Sequence, residues 1–81
     1  MAQEIVVYSG LRCKPCDAVK GFLKENGFSY VEKNVHLDKE ARQELYELGF
    51  KSIPVTVIGS NRIEGFDREK IAEALSLSAL T

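Results

Sequence analysis

Cys13-Lys14-Pro15-Cys16 holds the only two cysteines of this 81-residue chain, three positions apart. The pair stands between a strand-like apolar run, Glu4-Ile-Val-Val-Tyr8, and the head of a helix-like run. A C-x-x-C in that setting points to a dithiol/disulfide redox site. The chemistry requires the spacing: one thiolate attacks a partner disulfide, and a second thiol must lie close enough to release the mixed disulfide. A helix N-terminus supplies partial positive charge that favours the thiolate, and Arg12 and Lys14 add full charges beside Cys13. Cys13 is therefore the expected nucleophile and Cys16, one turn further on and turned inward, the resolving thiol. Zinc fits poorly, because a structural site takes four protein ligands and a catalytic one three, and the chain offers two cysteines and a distant His36. A purely structural disulfide across so short a loop would restrict the unfolded chain little.

Length bounds the rest. Residues 1–81 are enough for one domain with a modest core. Eleven basic and twelve acidic residues are spread through the chain, and no block of like charge suggests a nucleic-acid partner. No apolar run approaches the roughly 20 residues that span a bilayer, so no membrane role is expected. Met1-Ala-Gln-Glu4 lacks the basic and apolar segments of a signal peptide. The expected compartment is the cytoplasm, where a C-x-x-C is more often catalytic than structural.

Apolar patterning alternates strand and helix. Ile5 to Tyr8 has the β-branched character of a strand buried on both faces. Pro15 is tolerated in the first turn of the following helix. Val19, Phe22 and Leu23 form that helix's apolar stripe, and Asn26-Gly27 ends it, with Gly27 at the left-handed C′ position. Tyr30 to Val35 reads as a second strand with Val31, Lys33 and Val35 on one face. Asp38 caps a second helix whose Ala41, Leu45 and Leu48 share a face, and Gly49 stops it. Ser52 to Ile58 reads as a third strand with Pro54 at its start, because proline cannot donate to a ladder. Gly59-Ser60-Asn61 turns the chain into an edge strand over Arg62 to Glu64. Asp67 is the expected N-cap of a last helix with Ile71, Ala74 and Leu75 inward. The order is β-α-β-α-β-β-α: an α/β fold with a four-stranded mixed sheet, helices on both faces, a right-handed parallel first crossover and a final antiparallel hairpin.

This order, with C-x-x-C after the first strand and Ile53-Pro54 before the third, resembles the glutaredoxins, the smallest form of the thioredoxin superfamily. The resemblance covers roughly residues 4–77. Its combined signature is Tyr8-Ser-Gly-Leu-Arg-Cys-Lys-Pro-Cys16, Leu48-Gly-Phe-Lys-Ser-Ile-Pro-Val55 and Glu64-Gly-Phe-Asp67. The last two segments look most like the glutaredoxin-like redoxins of the NrdH type, which are reduced by thioredoxin reductase and serve ribonucleotide reductase. The resemblance implies a monomeric dithiol–disulfide oxidoreductase with no tightly bound cofactor and no metal. It implies a cis Pro54 facing the cysteines, with the backbone of Ile53 pairing to an incoming peptide.

Glutaredoxins in the narrow sense usually read Cys-Pro-Tyr-Cys, with a Lys three residues before the first Cys and a later Gly-Gly pair. Here those places hold Lys14-Pro15, Gly10 and Gly65-Phe66, which removes features that hold glutathione. Glutathione stays the alternative co-substrate, because Arg12, Lys51 and Asp67 offer contacts to its carboxylates and amine. The backbone N–H groups of Gly65, Phe66 and Asp67 offer a carboxylate site at a helix N-terminus, beside the plainer reading of Asp67 as a cap. Tyr8 stands either near the cysteines or in the core. His36 reads as a surface or structural histidine. Two other classes on the same fold are disfavoured. A non-catalytic binding module would have lost a cysteine or Pro54, and an iron–sulfur carrier would carry the single-cysteine Cys-Gly-Phe-Ser motif.

Overall fold

The computed structural model describes residues 4–80. Strand β1 (Ile5–Ser9) leads to helix α1 (Lys14–Glu25), β2 (Val31–Asn34), α2 (Lys39–Glu47), β3 (Val55–Ile58), β4 (Asn61–Glu64) and α3 (Arg68–Leu80). The sheet order is β2-β1-β3-β4. β1 pairs parallel with β2 and antiparallel with β3, and β3 pairs antiparallel with β4. The order, the mixed sheet and the hairpin expected from the sequence are all present.

The period-2 alternation of the strands divides the core into two clusters. Ile5, Val7, Ile58 and Ile63 project to one face and bury against Val19 and Leu23 of α1 and Ile71, Ala74 and Leu75 of α3. Tyr8 and Val55 project to the other and bury against Ala41 and Leu45 of α2, with Val35 beside them. Helices thus cover both faces, and α1 is the element that sets the cysteines against the sheet. Among the described residues no helix is long and apolar enough to cross a membrane.

The caps fall where the sequence puts them. Asp38 accepts from the N–H groups of Glu40 and Ala41, and Asp67 accepts from that of Lys70. α1 and α2 both end in the same pair of backbone hydrogen bonds. Phe28 N–H returns to Leu23 O at 2.9 Å and Gly27 N–H to Lys24 O at 3.1 Å; Phe50 returns to Leu45 at 3.2 Å and Gly49 to Tyr46 at 3.0 Å. The motif needs a left-handed residue at C′, and Gly27 and Gly49 supply it with φ of 77° and 93°.

The second strand differs most from expectation. Regular pairing covers Val31–Asn34 rather than Tyr30–Val35. Tyr30 packs against the α1/α3 cluster, while Val31 is exposed at the sheet edge. An edge strand feels one neighbour only, so its ends are fixed by the loops that leave it. The third strand begins at Val55, with Pro54 just before it rather than at its first position.

One core position is imperfect. Thr56, between Val7 and Ile63 in the sheet, is fully buried and its Oγ1 has no hydrogen-bond partner. An unpaired buried hydroxyl opposes folding. Thr56→Val is expected to raise stability by about 1 kcal/mol in urea unfolding; a clear loss would mean that the hydroxyl is satisfied in solution.

Candidate active site

The C-terminal end of β1 runs through Gly10 into a turn at Leu11-Arg12, and Cys13 is the N-cap of α1. The sequence places Cys13 there because Pro15, in the first helical turn, forgoes an N–H that would lack a partner anyway. Cys13 and Cys16 are joined by a disulfide with Cα atoms 5.2 Å apart. Cys13 Sγ also takes the place of a capping oxygen, accepting the Cys16 N–H at 3.1 Å. The two sulfurs are unequal in access: Cys13 is partly exposed, whereas Cys16 is fully buried. In the dithiol state the same N–H and the helix terminus favour negative charge on Cys13.

Pro54 ends the α2–β3 loop, whose Ile53 reaches Gly10. The Ile53–Pro54 peptide is cis, Pro54 is buried, and its carbonyl accepts the Gly65 N–H at 2.7 Å. That bond ties the Gly65-Phe66-Asp67 segment to the proline loop, and Ser52 Oγ donates to Glu64 beside it. Gly65's N–H is therefore engaged, which leaves any carboxylate contact to Phe66 and Asp67. Asp67 Oδ1 caps α3. Phe66 is exposed and meets the Phe22 ring edge-on at 6.3 Å, while the Arg68 guanidinium lies 5.7 Å from the same ring. Arg12 and Lys51 are both exposed, and Arg12 holds a left-handed φ of 53°. Ile53 is half-buried and faces Gly10: a Cβ on Gly10 would stand 2.5 Å from Ile53 Cδ1.

Sequence reasoning missed the side chain on the other flank of Gly10. His36 Nδ1 accepts the Leu11 N–H at 2.8 Å, and its ring lies 2.6 Å from where a Gly10 Cβ would be. The absence of a side chain at Gly10 was the available signal that something approaches closely there, but it did not identify what. Tyr8 resolves to its core reading. It sits on the α2 face, and its hydroxyl donates to Glu44 Oε1 at 3.0 Å.

Two carboxylates brace the neighbouring strands. Glu44 takes Lys33 Nζ at 2.7 Å together with the Tyr8 hydroxyl; Glu32 takes Lys20 Nζ at 2.8 Å and the buried Ser9 hydroxyl at 2.7 Å. Lys33 and then Tyr8 hold Glu44 below the usual carboxylate range, and Lys20 and then Ser9 do the same for Glu32. Burial first, and then Glu44, push the Tyr8 phenol up. A depressed carboxyl stabilises the fold above its unfolded pKa of about 4.3, and that contribution fades as pH falls through the lower folded value. Both carboxylates are more than a third exposed, so water screens much of the effect.

The sequence model of the glutaredoxin family matches residues 5–63. A glutaredoxin-like 8.6 kDa protein of the Clostridium pasteurianum rubredoxin operon is 35% identical over 68 residues, 83% of this chain and 91% of that protein. The thioredoxin-like protein BC3987 has a similar structure, with a TM-score of 0.83 at 39% identity over 88% of this chain and 99% of its own. The NrdH-redoxin of Escherichia coli, described as glutaredoxin-like with a thioredoxin-like activity profile, gives a TM-score of 0.81 at 30% identity, covering 86% and 92%.

Proposed function

The chain belongs to the glutaredoxin family, whose members are thiol–disulfide oxidoreductases, and on that premise we propose that it is an NrdH-type electron carrier reducing protein disulfides. The observation that carries the reading is the inequality of the two sulfurs: a partly exposed Cys13 capping α1 and a fully buried Cys16 bonded to it. A partner molecule reaches only Cys13. Its thiolate attacks a substrate sulfur, forming Cys13–S–S–substrate and expelling the other substrate sulfur as a thiolate. Deprotonated Cys16 then attacks Cys13 Sγ, releasing the second substrate thiolate and closing Cys13–Cys16. Two electrons pass from the dithiol to the substrate, and the two thiol protons end on the product thiols. No metal or tightly bound cofactor enters this sequence.

Ile53, Pro54 and the Gly65–Asp67 segment line the approach to Cys13 in this reading, with the Ile53 backbone pairing to the substrate chain. Arg12 and Lys51 supply positive charge at the rim. The proposed substrate is a protein disulfide such as that of ribonucleotide reductase, in a reducing compartment such as the cytoplasm. Thioredoxin reductase is the proposed reductant. Support comes from Gly10, at the position where glutaredoxins carry a glutathione-binding Lys. Ile53 and His36 occupy the space that any side chain at Gly10 would enter.

NADPH consumption on one oxidised sample, coupled to thioredoxin reductase or to glutathione with glutathione reductase, tests this. The thioredoxin reductase system is expected to turn over faster than millimolar glutathione. Turnover with the glutathione system alone would make the chain a glutaredoxin in the narrow sense. Arg12, Lys51 and the Asp67 helix terminus would then be the contacts to remove next.

A further inference from the structure

A distant loop braces the turn that delivers Cys13. Arg12 sits at φ 53°, a region that L-residues leave unless their surroundings fix them. The surroundings come from the β2–α2 loop. His36 Nδ1 accepts the Leu11 N–H at 2.8 Å, so this nitrogen is unprotonated, because a backbone N–H can only donate. The same ring and Ile53 Cδ1 close on either side of Gly10, at 2.6 and 2.5 Å from the position of an added Cβ. Glycine is the residue that lets both approach.

The loop backbone that carries His36 is itself well anchored. Asn34 Oδ1 accepts the N–H groups of His36 at 2.9 Å and Leu37 at 3.2 Å. The Asn34 carbonyl accepts the Asp38 N–H at 2.9 Å, and Val35 N–H donates to Ser9 O at 2.8 Å. Among the described residues His36 makes no ion pair. It is an exposed side chain whose ring nitrogen holds a backbone donor two residues before Cys13.

We propose that His36 is a positioning residue for Cys13: by accepting the Leu11 N–H it fixes the Gly10–Arg12 turn and so presents the attacking sulfur at the N-cap of α1. The inference rests on the reading of Cys13 as the attacking sulfur. His36 touches no reacting atom in this role.

Four reduced proteins test it: wild type, His36→Leu, His36→Ala and His36→Asn. Leucine keeps bulk beside Gly10 but has no acceptor. Asparagine places Oδ1 near the position of Nδ1 and restores one. The readouts are hydrogen exchange of the Leu11 amide, by NMR, and the rate of Cys13 alkylation by iodoacetamide, by peptide mapping. In His36→Leu and His36→Ala, Leu11 exchange is expected to rise about fivefold and Cys13 alkylation to slow by roughly threefold to fivefold, the factor one net hydrogen bond supplies. His36→Asn should recover most of both. If the acceptor-less variants leave Cys13's rate unchanged, or Asn behaves as they do, the positioning role is overturned. Preferential alkylation of Cys16 in the wild type would instead overturn the reading of the site on which the inference stands, whatever Leu11 does.

Discussion

Cys16→Ser will accumulate a mixed disulfide through Cys13, whereas Cys13→Ser will form no adduct with the same disulfide. The asymmetry follows from access. Cys16 lies at 0% exposure beneath the start of α1, so a partner sulfur cannot reach it without opening the helix. Cys13 is partly exposed, and its sulfur receives the Cys16 N–H that steadies negative charge. Removing Cys16 leaves the first exchange intact but deletes the thiol that resolves it. Removing Cys13 deletes the first exchange itself. Turnover of a protein disulfide should fall on the order of a thousandfold or more in both variants, because neither half of the cycle proceeds without its own sulfur. Turnover alone therefore cannot tell the two roles apart, and intact mass after incubation with a disulfide substrate does. Equal adduct yields on the two variants would sink the division of labour.

The parts of this site that were legible in the sequence are those set by local rules. The C-x-x-C, its place at a helix start and the Ile53-Pro54 step before the third strand are contiguous signals. The caps are local as well: Asp38, Asp67, Gly27 and Gly49 each do what their residue types do at helix ends. The two-faced core was readable because the apolar periods of strand and helix agree along the whole chain.

The rest depends on contacts between distant segments. Leu11 and His36 are 25 positions apart, and nothing in either neighbourhood specifies that a ring nitrogen will meet a backbone N–H. The Gly65 N–H looked available to a ligand until the Pro54 carbonyl was seen to take it, a bond between two loops. Tyr8 went to the α2 face because strand parity puts it opposite Val7, on the side where Glu44 waits for its hydroxyl. Parity was available in the sequence, but which face α1 would cover was not. The short, exposed β2 illustrates the same limit, since its edge position is a property of the whole sheet.

Leu23→Ala is the core substitution expected to weaken most the packing of the helix that carries the cysteines. Leu23 is fully buried between α1 and the β1/α3 cluster, with Val19 one turn before it and Ile71 in the same cluster. Truncation removes transfer free energy and leaves a cavity that a close-packed interior fills only in part, typically 2–5 kcal/mol in all, as a general magnitude for such changes. A domain of this size has about 4–12 kcal/mol of stability, at roughly 0.05–0.15 kcal/mol per residue. The substitution therefore removes a large share of the total. Leu23's carbonyl still accepts the Phe28 N–H, so the helix end is preserved and the loss reports packing. Urea unfolding should show a lower midpoint with an unchanged slope, because the surface exposed on unfolding barely changes. Lys24→Ala, one residue on at an exposed position, is the control and should stay within about 0.5 kcal/mol. The proteins must be compared in one redox state, since Cys13 and Cys16 sit at the start of the same helix and their oxidation state differs between samples otherwise. A midpoint for Leu23→Ala indistinguishable from the control would mean that α1 is not held by this cluster, and that the helix carrying the redox pair draws its support from elsewhere.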